Sequence, residues 1–137
     1  WDAYPAARER LLKHLHERNV KGLVVLTGDL HNAWAGELKL DVRDIKSPTL
    51  GTEFIATSIS TGGDGFDIND GFQRSSDINP LIMWVNNRRG YTVHEASEKR
   101  MDVAFRAVDY VSRPGAPLVT KAKFVVEPDN GGGVNKA

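Results

Sequence analysis

The strongest structural signal in the chain lies in the segment Leu23-Val24-Val25-Leu26-Thr27-Gly28-Asp29-Leu30-His31-Asn32-Ala33-Trp34. Its run of aliphatic residues predicts a buried β-strand, and Gly28 loosens the backbone where that strand ends. Asp29 and His31 follow two residues apart, which in extended backbone directs both side chains to one side. A carboxylate and an imidazole that converge at a strand end suit a cation such as Fe, Mn or Zn. We therefore predict a metal site built partly from Asp29 and His31.

The same pair of residues also has a purely structural interpretation. An Asp after a buried strand often caps a turn or the next helix, and a His near a core is often only hydrogen-bonded there. The pair falls short of a complete ligand set for any of these metals. Spacing alone therefore leaves both interpretations open.

Length and composition restrict the class of protein. The 137 residues suffice for one domain with a core, 40% of them are hydrophobic, and 18 basic residues balance 18 acidic ones. We find no apolar run that predicts a transmembrane helix and no basic patch that indicates nucleic-acid binding. The neutral balance favours a small-molecule or protein partner. The lack of cysteine excludes disulfides and Cys-ligated zinc.

The early part of the chain predicts an α/β layer. Residues 5–18 read as a helix, with Pro5 in the first turn and apolar residues at helical spacing from Ala7 to Leu15. A helix that leads into a buried strand is the second half of a crossover connection. The fold class we predict is therefore α/β, with an N-terminal helix followed mostly by β structure.

Most of the remaining chain has the pattern of β-strands. We predict strands at residues 37–42, 52–60, 90–95, 101–111 and 118–126. A turn over residues 96–100 joins two of them as a hairpin, and His94 is expected to face solvent. We expect these strands to form one face of a sandwich and residues 129–137 to be a frayed tail.

Two loops contain residues that bear on a ligand site. The segment Thr61-Gly62-Gly63-Asp64-Gly65-Phe66-Asp67 lacks both the dinucleotide glycine pattern and the lysine of a P-loop. Its carboxylates, together with Asn69 and Asp70, could hold calcium, but their order differs from an EF-hand, so we favour a mobile surface loop. Further on, Asn79-Pro80 predicts a short helical turn whose apolar residues join the core.

A basic and aromatic cluster follows the loop at Asn86-Asn87. It consists of Arg88, Arg89 and Tyr91, just before a predicted strand. We predict that these residues lie near the mouth of the site or hold the strand that follows. In the functional interpretation an arginine contacts a substrate phosphate, in the favourable case with two hydrogen bonds. In the structural interpretation two exposed arginines lie beside a half-buried tyrosine.

Several segments, in the same order along the chain, closely resemble the C-terminal part of alkaline phosphatase D (PhoD-like) enzymes. They are WDAYPAAR (1–8), LTGDLHNAW (26–34), GTEF (51–54), TSIS (57–60) and RRGY (88–91). The resemblance extends from Trp1 to about Glu127, which is nearly the whole chain. Several co-linear motifs are far more specific than a single Asp and His pair.

This resemblance implies a calcineurin-type metallophosphatase, a four-layer α/β sandwich whose metals lie at the C-terminal ends of the central strands. It implies hydrolysis of phosphate monoesters and diesters, iron and calcium as metals, and a secreted, periplasmic or cell-surface location. The segment Gly28-Asp29-Leu30-His31 takes the place of the superfamily's Gly-His-x-His motif. The resemblance therefore assigns Asp29 and His31 as metal ligands.

The other ligand motifs of the superfamily have no counterpart in these residues. The sequence also begins at Trp1 without a methionine or a visible signal sequence. We therefore expect residues 1–137 to be the C-terminal portion of a PhoD-like metallophosphatase domain, with little activity alone. Two alternatives remain open: a noncatalytic β-rich binding module, and a fragment that self-associates through unsatisfied sheet edges.

Overall fold

A computed structural model describes residues 3–68, 78–128 and 133–137, and in these ranges the chain forms one helix and two four-stranded sheets. The elements in chain order are α1 (Pro5–Glu17), β1 (Leu23–Thr27), β2 (Ala33–Lys39), β3 (Thr49–Ile55), β4 (Ile82–Asn86), β5 (Arg89–Ala96), β6 (Met101–Val108), β7 (Leu118–Val126) and β8 (Val134–Lys136). The strand order is β1-β3-β2-β4 in the first sheet and β5-β6-β7-β8 in the second. The predicted α/β class is confirmed, but the strands divide between two sheets instead of forming one face.

Helix α1 agrees closely with the prediction. Pro5 begins its first turn, and Arg18 caps the end by donating its backbone N–H to the carbonyl of His14 at 3.0 Å. Asn19 then adopts a left-handed φ of 52°, which ends the helix. Of the predicted apolar face only Leu12 is fully buried, whereas Leu11 is 41% exposed. No helix in the described ranges has the length and apolar character that a membrane crossing requires.

Strand β1 forms where the sequence predicts a strand, but it is not buried as predicted. It runs parallel to β3, with Leu23 opposite Gly51 and Thr27 opposite Ile55. Because β1 lies at the edge of the first sheet as described, its side chains are covered on fewer sides than those of a central strand. Leu26 is accordingly 55% exposed. An apolar run indicates a strand, but it does not reveal whether the strand has one neighbour or two.

The core lies between the two sheets and is built around aromatic rings. Phe54 of β3 contacts Phe105 of β6 and Phe124 of β7 with ring centroids 6.1 and 6.0 Å apart. Trp84 of β4 packs on Phe105 at 4.6 Å. These separations and the tilted ring planes are typical of favourable aromatic pairs. The cluster therefore holds the faces of the two sheets together.

The segment after Asn79-Pro80 differs from the prediction. Asn79 does form a turn, because its side-chain oxygen accepts the backbone N–H of Leu81 at 3.1 Å. The chain then continues as strand β4 instead of a helical turn, since residues 82–86 pair with β2 and bury Val85 in the core. Pairing with a distant strand thus outweighs the local helix-start signal.

Other expectations need smaller corrections. Strand β2 spans Ala33–Lys39 rather than 37–42, and β3 ends at Ile55, so residues 56–60 form a loop. Val134–Lys136 is not frayed, because it pairs with β7 as strand β8, and residues 129–132 of the predicted tail lie outside the described residues. His94 does not face solvent freely, since its ring lies 5.8 Å from that of Phe54. The hairpin at 96–100 and strand β7 are confirmed.

Candidate functional site

Three loops meet at one end of the first sheet, where strands β1 and β3 have their carboxyl ends. Because β1 and β3 are parallel, residues 28–32 and 56–61 both follow the carboxyl ends of these strands. Strand β4 is antiparallel to β2, and its last residue, Asn86, pairs with Ala33 at the start of β2. Residues 86–89 therefore reach the same end of the sheet. Carboxyl ends of parallel strands are common ligand-binding locations. We call residues 28–32 the ligand loop and residues 56–61 the support loop.

Asp29 and His31 both lie in the ligand loop and are exposed. Their φ angles are 73° and 57°, which place both residues in the left-handed region. Residues with a side chain rarely adopt this region, although Asp and His are enriched there, and the strain costs of order 1–3 kcal/mol each. The backbone here is thus not extended, so the two-residue spacing does not by itself direct the two side chains to one side. Strain of this kind is concentrated at functional sites.

The structural interpretation of this pair has no support in the described residues. In the ranges that the structure describes, no side-chain hydrogen bond or ion pair joins Asp29 or His31 to another residue. Asp29 therefore caps nothing there, and His31 is not a hydrogen-bonded core residue. Both side chains are available to a ligand. Their assignment as metal ligands stays a prediction.

The two side chains fit part of a metal site. Carboxylate oxygen and imidazole nitrogen are ligands for iron and zinc, and the carboxylate also suits calcium. A complete site needs more ligands, and among the described residues no group of three or more His, Cys, Asp or Glu side chains could hold an ion. Asp29 and His31 would therefore hold a cation together with ligands supplied from elsewhere.

The support loop contacts the ligand loop directly. Thr57 donates its hydroxyl to the backbone carbonyl of His31 at 3.1 Å. Just before it, the N–H of Ala56 donates to the carbonyl of Thr27 at 2.9 Å. These two bonds lie on either side of Asp29 in sequence. The strained backbone of the ligand loop is thus held from the neighbouring loop.

Arg89 is buried and bound to the support loop. Only 2% of its surface is exposed. One terminal nitrogen, Nη1, donates to the Ser58 hydroxyl at 2.9 Å and to the Thr61 carbonyl at 2.7 Å. The other, Nη2, donates to the backbone and side-chain oxygens of Asn87. All these acceptors are neutral, and burial lowers the pKa of the Arg89 guanidinium from its ordinary value.

Arg88 points into a different environment. It forms an ion pair with Asp67 at 3.4 Å and donates to the backbone carbonyl of Asp109 at 2.7 Å. Asp67 also pairs with Lys121 at 3.2 Å and accepts a hydrogen bond from the Asn86 side chain at 2.9 Å. The hydrogen bond from Asn86, followed by those from Lys121 and the two positive charges, lowers the pKa of Asp67. This network ties the glycine-rich loop to both sheets.

The two described carboxylates that could hold calcium in the glycine-rich loop, Asp64 and Asp67, are both bound to other protein groups. Asp64 accepts the backbone N–H groups of Val111 and Ser112, each at 2.8 Å, and the Ser112 hydroxyl at 3.0 Å. These bonds lower the pKa of Asp64 and fasten a segment that we expected to be mobile. Asn69 and Asp70 lie outside the described residues.

The structure does not bring Arg88, Arg89 and Tyr91 together as one cluster. Tyr91 is 43% exposed and lies opposite Arg106 on the second sheet, whereas Arg89 is buried. The structural interpretation is therefore wrong for Arg89, which is buried instead of exposed, whereas the half-buried tyrosine agrees with it. Arg89 itself begins the strand that follows, and its side chain holds the support loop instead of that strand. A phosphate contact by these residues stays a prediction.

Sequence reasoning did not predict that Thr57, Ser58 and Asp67 make contacts at this end of the sheet. The sequence pattern places Thr57 and Ser58 in a strand and Asp67 in a surface loop. The one available signal was that the TSIS segment follows an apolar strand, as the ligand loop does. Which partners these side chains meet depends on contacts 21 to 31 residues apart in sequence.

Comparisons with known proteins agree with the resemblance predicted from the sequence. Residues 1–105 match the family model described as PhoD-like phosphatase. The chain is 37% identical over 132 residues to alkaline phosphatase D of Bacillus subtilis (strain 168), which covers 96% of this chain and 23% of that protein. A solved structure described as "Structure of PhoD" matches with a TM-score of 0.94 and 36% identity, covering 100% of this chain and 26% of that chain. The chain thus spans about a quarter of the length of these relatives.

Proposed function

Because the chain belongs to the PhoD-like phosphatase family, we propose that it supplies Asp29 and His31 to the metal centre of a longer enzyme that hydrolyses phosphate esters. The observation that carries this proposal is the ligand loop itself. Both side chains are exposed and lie on left-handed backbone after the carboxyl end of a parallel strand. On this proposal residues 1–137 are the C-terminal part of the phosphatase domain.

The chemistry of a phosphatase explains why such a site needs these residue types. Bound metal ions polarise the phosphoryl oxygens, lower the pKa of a bound water and stabilise the in-line transition state. Asp29 contributes a negatively charged oxygen ligand and His31 a nitrogen ligand. By resemblance to the family, the proposed metals are iron and calcium, the substrates are phosphate monoesters and diesters, and the enzyme is secreted, periplasmic or located at the cell surface.

We further propose that the chain alone has little phosphatase activity. Two ligands hold a metal ion weakly, because each missing protein ligand leaves a position to solvent. The described residues contain no third candidate ligand near this pair. The remaining ligands would come from other parts of the longer enzyme.

Substitution of the two ligands tests the proposal. In the product of the full reading frame, Asp29→Ala and His31→Ala should each remove bound metal, measured by mass spectrometry. Each should slow hydrolysis of bis-p-nitrophenyl phosphate by roughly 100-fold or more, since even residues that only orient a ligand affect activity 10- to 100-fold. The matched control His16→Ala removes an exposed histidine from α1 and should change neither quantity. Unchanged metal content in folded Asp29→Ala and His31→Ala proteins would contradict the assignment.

One observation favours a second candidate function, a self-associating module without catalysis. Strand β1 forms an edge of the first sheet as described, and Leu26 on it is 55% exposed. An apolar edge strand is a template for pairing with another chain. Self-association of the product of the full reading frame, with no bound metal and no hydrolysis of phosphate esters, would support this alternative over the phosphatase.

A further inference from the structure

We propose that Thr57 and Arg89 are positioning residues that hold His31 in its metal-binding conformation through the support loop. This inference rests on the proposed function, because it takes His31 to be a ligand. Neither side chain needs to touch the metal or the substrate. Each acts on His31 through the backbone.

The first link joins Thr57 to His31. The φ of His31 is 57°, a conformation that persists only where the surroundings impose it. The Thr57 hydroxyl donates to the carbonyl of His31 itself, at 3.1 Å. The neighbouring bond from Ala56 to Thr27, at 2.9 Å, fixes where the support loop leaves the sheet. Loss of the Thr57 hydroxyl would release the strained end of the ligand loop while the start of the support loop stays in place.

The second link joins the support loop to Arg89. The Ser58 hydroxyl accepts from Nη1 of Arg89 at 2.9 Å and donates to the Thr61 carbonyl at 2.6 Å. The Thr61 carbonyl also accepts from the same nitrogen, at 2.7 Å. The backbone N–H of Gly90 donates to the Ser58 carbonyl at 3.1 Å. Ser58, directly after Thr57, is therefore fixed to the start of β5 by two hydrogen bonds, from Arg89 and Gly90, while its own hydroxyl bonds within the support loop.

The need for an arginine follows from the geometry. A planar guanidinium presents several donors in a fixed fork, whereas a lysine ammonium is a single point of charge. Gly62 lies over this fork with a φ of 96°, and a Cβ there would be 3.0 Å from Nη1 of Arg89. Burial of a charge among neutral acceptors is costly, so such a residue needs a compensating benefit. We assign that benefit to the placement of the support loop.

The first test removes the Thr57 hydroxyl from the full-length enzyme. Zn²⁺ is titrated into metal-free protein by calorimetry, and thermal unfolding of the metal-free protein is measured beside it. Thr57→Val, which has nearly the same shape, should weaken Zn²⁺ binding about 10-fold or more, the effect typical of residues that orient a ligand. It should lower kcat more than it changes KM. Thr57→Ser keeps the hydroxyl and should have the Zn²⁺ affinity and the kcat of the wild type.

The second test changes Arg89. Arg89→Lys keeps the charge, loses the fork and should weaken Zn²⁺ binding in the same direction as Thr57→Val. Because both residues act through the support loop, the double variant should lose less affinity than the sum of the two single losses. Arg106→Lys is the matched control, since Arg106 donates to Thr120 on the second sheet, and its Zn²⁺ affinity should equal that of the wild type. If Arg89→Lys does not fold, Thr57→Val alone decides.

The outcomes separate this inference from the proposed function. If Asp29→Ala and His31→Ala bind Zn²⁺ as the wild type does, the assignment of the ligands fails. If those two variants lose Zn²⁺ but folded Thr57→Val binds it with wild-type affinity, only the positioning role is overturned. A lower unfolding temperature of Thr57→Val with unchanged Zn²⁺ affinity would likewise show a merely structural role.

Discussion

At the scale of single residues, neighbouring arginines have different roles. Arg88 belongs to an ion network with Asp67 and Lys121, whereas Arg89 is buried among neutral oxygens. The sequence RRGY places both arginines near the site but cannot distinguish them, because alternation along a strand does not reveal which side chain meets an acceptor. Only the fold brings Ser58 and Thr61 to Arg89 and Asp67 to Arg88.

Asp67 provides a prediction of pH dependence. Its hydrogen bond from Asn86 and its contacts with Lys121 and Arg88 lower its folded pKa below the ordinary value of 3.8. A depressed folded pKa contributes stability above the unfolded value, and that stability is lost as pH falls through the folded value. Asp67→Asn should therefore lower the unfolding temperature near pH 7, and its difference from the wild type should shrink below about pH 4.

A matched control makes this measurement specific. Asp44→Asn removes one negative charge from an exposed turn and should change the free energy of unfolding by no more than about 0.5 kcal/mol, the ordinary range of surface substitutions. Thermal unfolding of the three proteins between about pH 2 and pH 7 provides the comparison. An Asp67→Asn deficit that stays constant down to the lowest pH would rule out the charge as its cause.

At the scale of elements, apolar patterns predicted where strands lie in the sequence better than they predicted which strands pair in the sheets. Strand β7 has the bounds predicted from the sequence, Leu118–Val126. Strand β4 was missed, because Asn79-Pro80 resembles a helix start and its pairing partner β2 lies far away in sequence. The predicted burial of β1 was wrong for the same physical reason. An apolar pattern indicates which side chains a segment can bury, whereas the order of strands in the sheet decides what covers that segment.

The close approach of β5 to β6 requires a glycine at position 90. A Cβ at this position would overlap the carbonyl oxygen of Arg106 and lie 2.8 Å from the Cα of Ala107. Gly90→Ala should therefore separate the two strands and lower the free energy of unfolding by at least about 1–3 kcal/mol. Chemical denaturation measures the change. The control Gly28→Ala adds a Cβ where no atom lies within 4 Å, and equal stability losses in both variants would contradict the packing argument.

At the scale of the whole molecule, two sheets and three loops combine into one candidate site. The aromatic cluster of Phe54, Phe105 and Phe124 joins the sheets, and the short connection from β4 to β5 places Arg89 beside the support loop. The ligand loop thereby rests on residues that come from both sheets. Its geometry depends on the entire sandwich.

The edge of the first sheet leads to a prediction about association. Because β1 is an edge strand as described and Leu26 is 55% exposed, the chain alone should form dimers or larger species in light scattering. Leu26→Lys places a charge on this edge and should shift the chain toward monomer. Leu118→Lys adds the same charge at the 40% exposed start of β7 and should leave the association unchanged. A strictly monomeric wild-type chain would contradict the prediction.

The sequence by itself determined the α/β class, most of the strands and the resemblance to PhoD-like enzymes, and it singled out Asp29 and His31, whose role as ligands stays a prediction. These features depend on periodicity and residue type within short segments, which operate before any long-range contact forms. Tertiary structure alone decided that β1 lies at an edge of the sheet that the described residues form, that Arg89 is buried and that Thr57 reaches His31. The contacts concerned join residues 26 to 31 positions apart, and which of them form depends on how the two sheets pack.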